Sequence, residues 1–286
     1  MISSSTTQLL RFHFSFFLMP VFWLSLSQTA EIIPADAILI FIILHFLVYP
    51  ASNGYNSYMD RDTGSIGGIK NPKQPTQQLF YVTVLLDLSA LLASAFISLY
   101  FLTGIIAFIA ASRAYSYRGI RLKKYPVTGY LTVVVFQGGL LFFLVMHGAS
   151  AAKTLDVPFI GMVAASLLVG GFYPLTQIYQ HMQDKKDGVT TLSYILGYRG
   201  TFVFTAIVYG LAMIALGFYL ALNQDLNYFF IIQIFLLPIL VYFFYWFYRV
   251  YHNPMEANFK NTMRMNIIAS VFTNAAFIFL FLIEKY

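Results

Sequence analysis

Two stretches of this chain carry amides and carboxylates at the same spacing. Residues 49–64 read YPASNGYNSYMDRDTG and residues 173–188 read YPLTQIYQHMQDKKDG. Asn53, Asn56 and Asp60 answer to Gln177, Gln180 and Asp184, each set at i, i+3, i+7. On a continuous α-helix this spacing puts each triplet on one face. Carboxylates flanked by amide carbonyls are hard oxygen ligands. They suit Mg2+, which keeps part of its water shell and binds readily through substrate phosphates. Cations to take the remaining phosphate charge come from the basic run 112–126 (SRAYSYRGIRLKKYP), with Arg118 and Lys123, and from the Gly-rich loop 63–76, with Lys70. Tyr49, Tyr115 and Tyr173 lie close to these groups in sequence, and their ring faces suit a carbocation. The predicted ligand is therefore an amphiphile with a diphosphate head.

The elements that must position these residues are apolar. The chain is 59% hydrophobic and only 10% charged, with a mean hydropathy of +0.72; a soluble domain carries roughly 25% charged residues. Most of its surface is thus expected to face lipid. Nine segments of near-bilayer length can be drawn: 8–28, 36–57, 77–96, 97–114, 127–148, 158–180, 201–222, 228–248 and 264–283. Each approaches the ~20 residues that a spanning helix needs. The spacing predicts an all-α, polytopic bundle of nine transmembrane helices, with a central cavity open to the inner face. Residues 1–286 read as a single domain of two related helical halves, roughly 1–125 and 126–286.

With the N-terminus inside, all of the 17 Lys and Arg except Lys153 and Lys285 fall on the inner side, which obeys the positive-inside rule. This places the N-terminus and the motif loops in the cytoplasm and the C-terminus outside, in the inner membrane if the source is bacterial. The absence of Cys excludes disulfides, thiolate metal sites and Cys nucleophiles. The net charge of +6 does not imply a nucleic-acid partner, because the basic loops are short and pinned at the bilayer. Gln137, Gly138 and Gly139 predict a close helix approach. Asn266 and Asn274 read as interhelical hydrogen bonders, and His252, Glu256 and Lys260 as one charged helix face. Arg11 reads as a snorkelling anchor or an anion contact.

With both motifs and the basic loop in register, the chain resembles the UbiA superfamily of intramembrane prenyltransferases. That family has nine transmembrane helices, a first motif N-D-x-x-D-x-x-x-D and a second D-x-x-x-D. Asn56 and Asp60 match the first and Asp184 the end of the second, while residues 115–129 match its Tyr-Ser/Thr…Arg-Leu-Lys signature. The resemblance implies a Mg2+-dependent prenyltransferase. Asp60 and Asp184, with Asp62 as a displaced extra, would be its metal ligands. Asn56 and Gln180 would join the two aspartates in catalysis, and Asn53, Gln177, Lys70, Arg118, Lys123, Tyr49, Tyr115 and Tyr173 would contact substrate. An allylic isoprenyl diphosphate and a hydrophobic, aromatic acceptor are the implied partners, with membrane lipids around them and no obligate protein partner. Ser57, Gly64 and Gln180 stand where the family has acids. The alternative is a non-catalytic binder or transporter of a phosphorylated isoprenoid lipid.

Overall fold

The computed structural model describes residues 2–223 and 225–285. Among the described residues nine helices are long and apolar enough to cross a membrane: α1 Ser4–Ser27, α2 Pro34–Asp60, α3 Gln77–Ser94, α4 Leu99–Ser116, α5 Pro126–Ala149, α6 Phe159–Lys186, α7 Leu192–Asn223, α8 Leu226–His252 and α9 Phe259–Lys285. The chain is an integral, multi-pass membrane protein. Helix starts follow local chemistry. Pro34 and Pro126 open α2 and α5, where a missing N–H costs nothing. Between α3 and α4 the break falls at Ser98, whose hydroxyl accepts from the Phe101 N–H at 3.0 Å and bonds His147 Nε2 at 2.7 Å.

α6 packs along α7 and α5, and α9 along α1 and α8, while α2 leans on α3 and α4. The predicted close approach lies between α5 and α6. A Cβ built on Gly138 would stand 2.4 Å from Ser166 Cα, so only glycine lets these backbones meet. α8 turns Phe230, Phe244, Tyr245 and Tyr248 outward, which makes it a lipid-facing wall. The charged face expected from His252 to Lys260 does not form. α8 ends at His252, a 3-10 turn spans Pro254–Glu256, and Glu256 instead pairs with Arg249.

Three spans depart from regular α geometry in ways that bear on the motifs, while α5 also carries a π-helical turn, Val135–Leu140, and α7 kinks at Gly197. In α1 the helix breaks at Arg11 (φ 49°), and a 3-10 stretch Phe12–Leu18 follows. In α2 a π-helical turn, Ile43–Val48, immediately precedes Tyr49-Pro50. Pro50 has no N–H to offer the carbonyl four residues back, and such widened turns accommodate that loss. In α6 the α-helix stops at Gln177, a 3-10 turn covers Ile178–Gln180, and a last turn runs His181–Lys186. The second triplet therefore does not lie on one continuous helix. This corrects the expectation from its spacing.

Arg113 does not join the basic loop's other cations. Its Nε donates to Asp87 Oδ2 at 2.9 Å, and the guanidinium lies 3.9 Å from the centre of the Tyr55 ring. Removing one partner of such a pair strands a charge among apolar helices. Asp87→Leu is expected to cost about 3 kcal/mol of stability, and Asp87→Leu with Arg113→Met clearly less. Thermal unfolding of the detergent-solubilised variants measures both.

Candidate functional site

The two motifs meet. Asn53, Asn56 and Asp60 from α2 and Gln177, Gln180 and Asp184 from α6 line one cavity of about 320 Å³. α2 ends at Asp60 because Arg61 turns into the left-handed region (φ 54°). Had the helix continued, Asp62 would have pointed about 200° away from Asp60. The reversal brings it back, and Asp62 lines the cavity too. Its Oδ1 accepts from Gln183 Nε2 at 2.6 Å, and Gln180 Nε2 donates to the Ser65 carbonyl at 3.2 Å. The first motif is thus tied directly to the second.

Charge is concentrated here. Lys123 Nζ lies on Asp60 Oδ2, and Asp60 Oδ1 is buried without a hydrogen-bond partner, 3.6 Å from the Arg121 guanidinium. Arg121 is itself held by Asp187. Arg11 is 8% exposed and lines the same cavity. Its terminal nitrogens donate to Asn53 O (3.0 Å) and Gly67 O (3.3 Å), while its Nε is unpartnered. Burial first, and Asp60 second, push the Asp62 carboxyl above its ordinary range. Three further acids, Asp60, Asp62 and Asp187, lie within electrostatic reach of Asp184.

Such crowding calls for further positive charge, and the donors are hard oxygens that fit Mg2+. Among the described residues no three acidic or histidine side chains converge tightly enough to hold an ion unaided. The donor set therefore fits an ion shared with a ligand's own oxygens rather than one caged by protein. Tyr115 and Tyr173 also line the cavity, hydroxyl against hydroxyl, and Gln177 Nε2 donates to the Tyr173 oxygen at 3.0 Å.

Three expected contacts lie elsewhere. Lys70 is exposed and does not line the cavity. Tyr49 is 2% exposed and does not line it either; its ring packs on His45 and Phe108 one turn deeper. Arg118 is also outside the lining. Its guanidinium donates to Met59 O at 2.7 Å and Asp60 O at 3.4 Å, where a cation satisfies the last carbonyls of α2. Sequence reasoning passed over Gln183, Arg121, Ser270 and Thr273 and read Asn266 as an interhelical hydrogen bonder; all but Arg121 of these line the cavity. Gln183 had a usable signal, one residue before Asp184. Arg121 had none that set it apart from its basic neighbours.

Residues 17–268 match the UbiA prenyltransferase family. No curated protein sequence matches the chain. Among solved structures, a UbiA homologue from Archaeoglobus fulgidus bound to GPP and Mg2+ superposes with a TM-score of 0.72 at 18% identity, covering 98% of this chain and 100% of that one. A UbiA homologue from Aeropyrum pernix K1 gives 0.70 at 16% identity, over 94% and 98%. A digeranylgeranylglyceryl phosphate synthase structure gives 0.61 at 18% identity, over 98% and 97%.

Proposed function

The chain belongs to the UbiA prenyltransferase family, and from that premise we propose that it transfers an isoprenyl group from an allylic diphosphate to an apolar, aromatic acceptor within the membrane. One observation carries the reading: both motifs and Lys123 of the basic loop line a single cavity together with apolar side chains such as Phe17, Phe136, Leu168 and Val169. A. fulgidus homologues solved with GPP or DMAPP and Mg2+ support it.

Asp60, Asp62 and Asp184, with Asn56 and Gln180, would hold Mg2+ together with the diphosphate oxygens. When bound, the ion supplies neutralisation of the charge that gathers on the departing diphosphate. Lys123 and Arg11 on the cavity wall, with Arg121 behind Asp60, would take up the rest from fixed positions that need little reorganisation. Asp187 and the Asn53 and Gly67 carbonyls hold two of these cations in place. The allylic C–O bond breaks, and its electron pair leaves with the diphosphate. The acceptor attacks the allylic carbon and loses one proton for each bond made. Tyr115 and Tyr173 present ring faces to the cation, and the apolar walls keep water from it. The motif end of the bundle, rich in Lys and Arg, faces the cytoplasm in this reading.

The test is turnover by the purified chain in lipid nanodiscs, supplied with GPP, Mg2+ and a panel of lipophilic phenols. Diphosphate release and prenylated products are followed by mass spectrometry. Release is expected with Mg2+, to stop with EDTA and to resume with excess Mg2+. GPP bound yet intact with every acceptor would favour the binder or transporter, which the Ser57 and Gln180 replacements leave open.

A further inference from the structure

The cavity has a second polar surface, remote in type from the first. Met263, Asn266, Ala269, Ser270 and Thr273 of α9 line it, and the polar members stand at i, i+4, i+7. They share one face over about 10 Å of helix. Asn266 and Ser270 are 6% and 5% exposed. None of the three side chains makes a hydrogen bond to a described residue. Several buried hydroxyls elsewhere in these helices turn back onto a carbonyl one turn earlier, as Ser25 to Val21, Ser94 to Ala90 and Thr262 to Asn258 do, although Ser57 and Thr205 do not. Asn274, next to Thr273, donates to the Phe16 carbonyl at 3.2 Å. It is the interhelical bond the sequence predicted; Asn266 is not. Buried polar groups without protein partners are costly. Asn266 and Ser270 are buried, Thr273 is half-buried, and all three line one cavity on one helix face, where a ligand would supply their partners.

The surroundings define that ligand. α9 packs on α1, whose Phe17, Leu18 and Val21 line the same cavity. An aromatic and aliphatic wall beside a polar edge fits a planar ring with hydroxyl or carbonyl groups on its rim. Among the described residues, Arg11 and Lys123 are the only Lys or Arg side chains that line the cavity. Arg264 bonds Tyr242, Lys285 donates to the Thr29 and Ala30 carbonyls, and Arg11 and Lys123 sit with the acids. A carboxylate here would be buried unpaired.

Resting on the prenyl-transfer reading, we propose that Asn266, Ser270 and Thr273 form the acceptor subsite, and that it takes an uncharged ring compound bearing hydroxyl or carbonyl groups. The diphosphate end and this strip are then separate subsites of one cavity.

The experiment measures equilibrium binding of three probes to the full chain in nanodiscs: GPP with Mg2+, a naphthalenediol, and the same diol carrying a carboxylate. The wild type is expected to bind the diol more tightly than its carboxylate. Asn266→Leu, and Ser270→Ala with Thr273→Val, should weaken diol binding by about tenfold or more while leaving GPP affinity within about twofold. These changes are near-isosteric, and retained GPP binding reports that the variants are folded. Diol binding that the substitutions leave unchanged overturns the proposal. So does a tighter carboxylate, or equal loss of both ligands. Failure of the wild type to bind GPP speaks instead against the prenyl-transfer reading, because the diol measurement needs no diphosphate.

Discussion

Asp60→Asn and Asp184→Asn are each expected to lower the single-turnover rate of GPP consumption by about a hundredfold or more, the usual cost of losing one charge-stabilising group at a reacting centre. Asp60 has one oxygen on Lys123 and the other without a hydrogen-bond partner. An amide there keeps the shape but removes the charge that a divalent ion needs. Lys123 would also be left facing a neutral group, so its pull on the diphosphate changes. Asp184 is the only second-motif acid at the family position, because Gln180 replaces the other. Rapid quench with radiolabelled GPP measures the rate, and GPP titration separates the chemical step from binding. Arg118→Met is the contrasting variant. It touches only backbone carbonyls and an Asp187 oxygen 3.9 Å away, so a change of a few-fold is expected. Full activity of either aspartate variant would rule out the proposed role.

Gly138→Val is expected to destabilise the bundle by about 3 kcal/mol or more, at the upper end of overpacking costs. The new Cβ would meet backbone at Ser166 Cα, 2.4 Å away, and backbone cannot rotate aside as a side chain can. α5 and α6 must separate, and with them the cavity wall that carries Phe136, Leu168 and Val169. Gly210→Ala provides the comparison. A Cβ at Gly210 meets nothing within 4 Å, and alanine in a helix interior is favoured over glycine by about 0.5–1 kcal/mol. Size-exclusion behaviour and thermal unfolding in detergent read both variants. A Gly138→Val protein as stable as wild type would mean that α5 and α6 do not rely on this contact.

Much of the architecture was legible in the sequence because hydropathy and charge act over whole segments. The nine spans lie within about six residues of their expected bounds, apart from the start of α7; it runs from Leu192 but breaks at Gly197, so its regular part begins close to the expected 201. The repeat was legible as well, although the helical reading of its spacing fails for the second triplet, which a 3-10 turn interrupts. Side-chain direction was harder to read. The Tyr-Pro pair occurs in both copies, yet Tyr173 lines the cavity while Tyr49 is sealed beneath it. The backbones around the two differ, with a π turn before Tyr49 and a 3-10 turn after Gln177. Asp62 shows the same dependence, because one left-handed residue at Arg61 decides where it points. Partner choice was hidden too. Arg113 and Arg121 stand in one basic run, but Asp87 takes the first and Asp187 the second. A residue far away in sequence made each selection.

α3 and α4 are the shortest spans, 18 residues each, and the least covered by neighbours. At 1.5 Å per residue they reach about 27 Å, against about 40 Å for the 27 residues of α9. A hydrocarbon slab is ~30 Å thick, so this hairpin is slightly too low for it and the opposite flank has length to spare. Lipids beside the hairpin are expected to thin locally, while a longer helix such as α9 can tilt to fit. Thinner bilayers are therefore expected to hold the hairpin at lower cost than thicker ones.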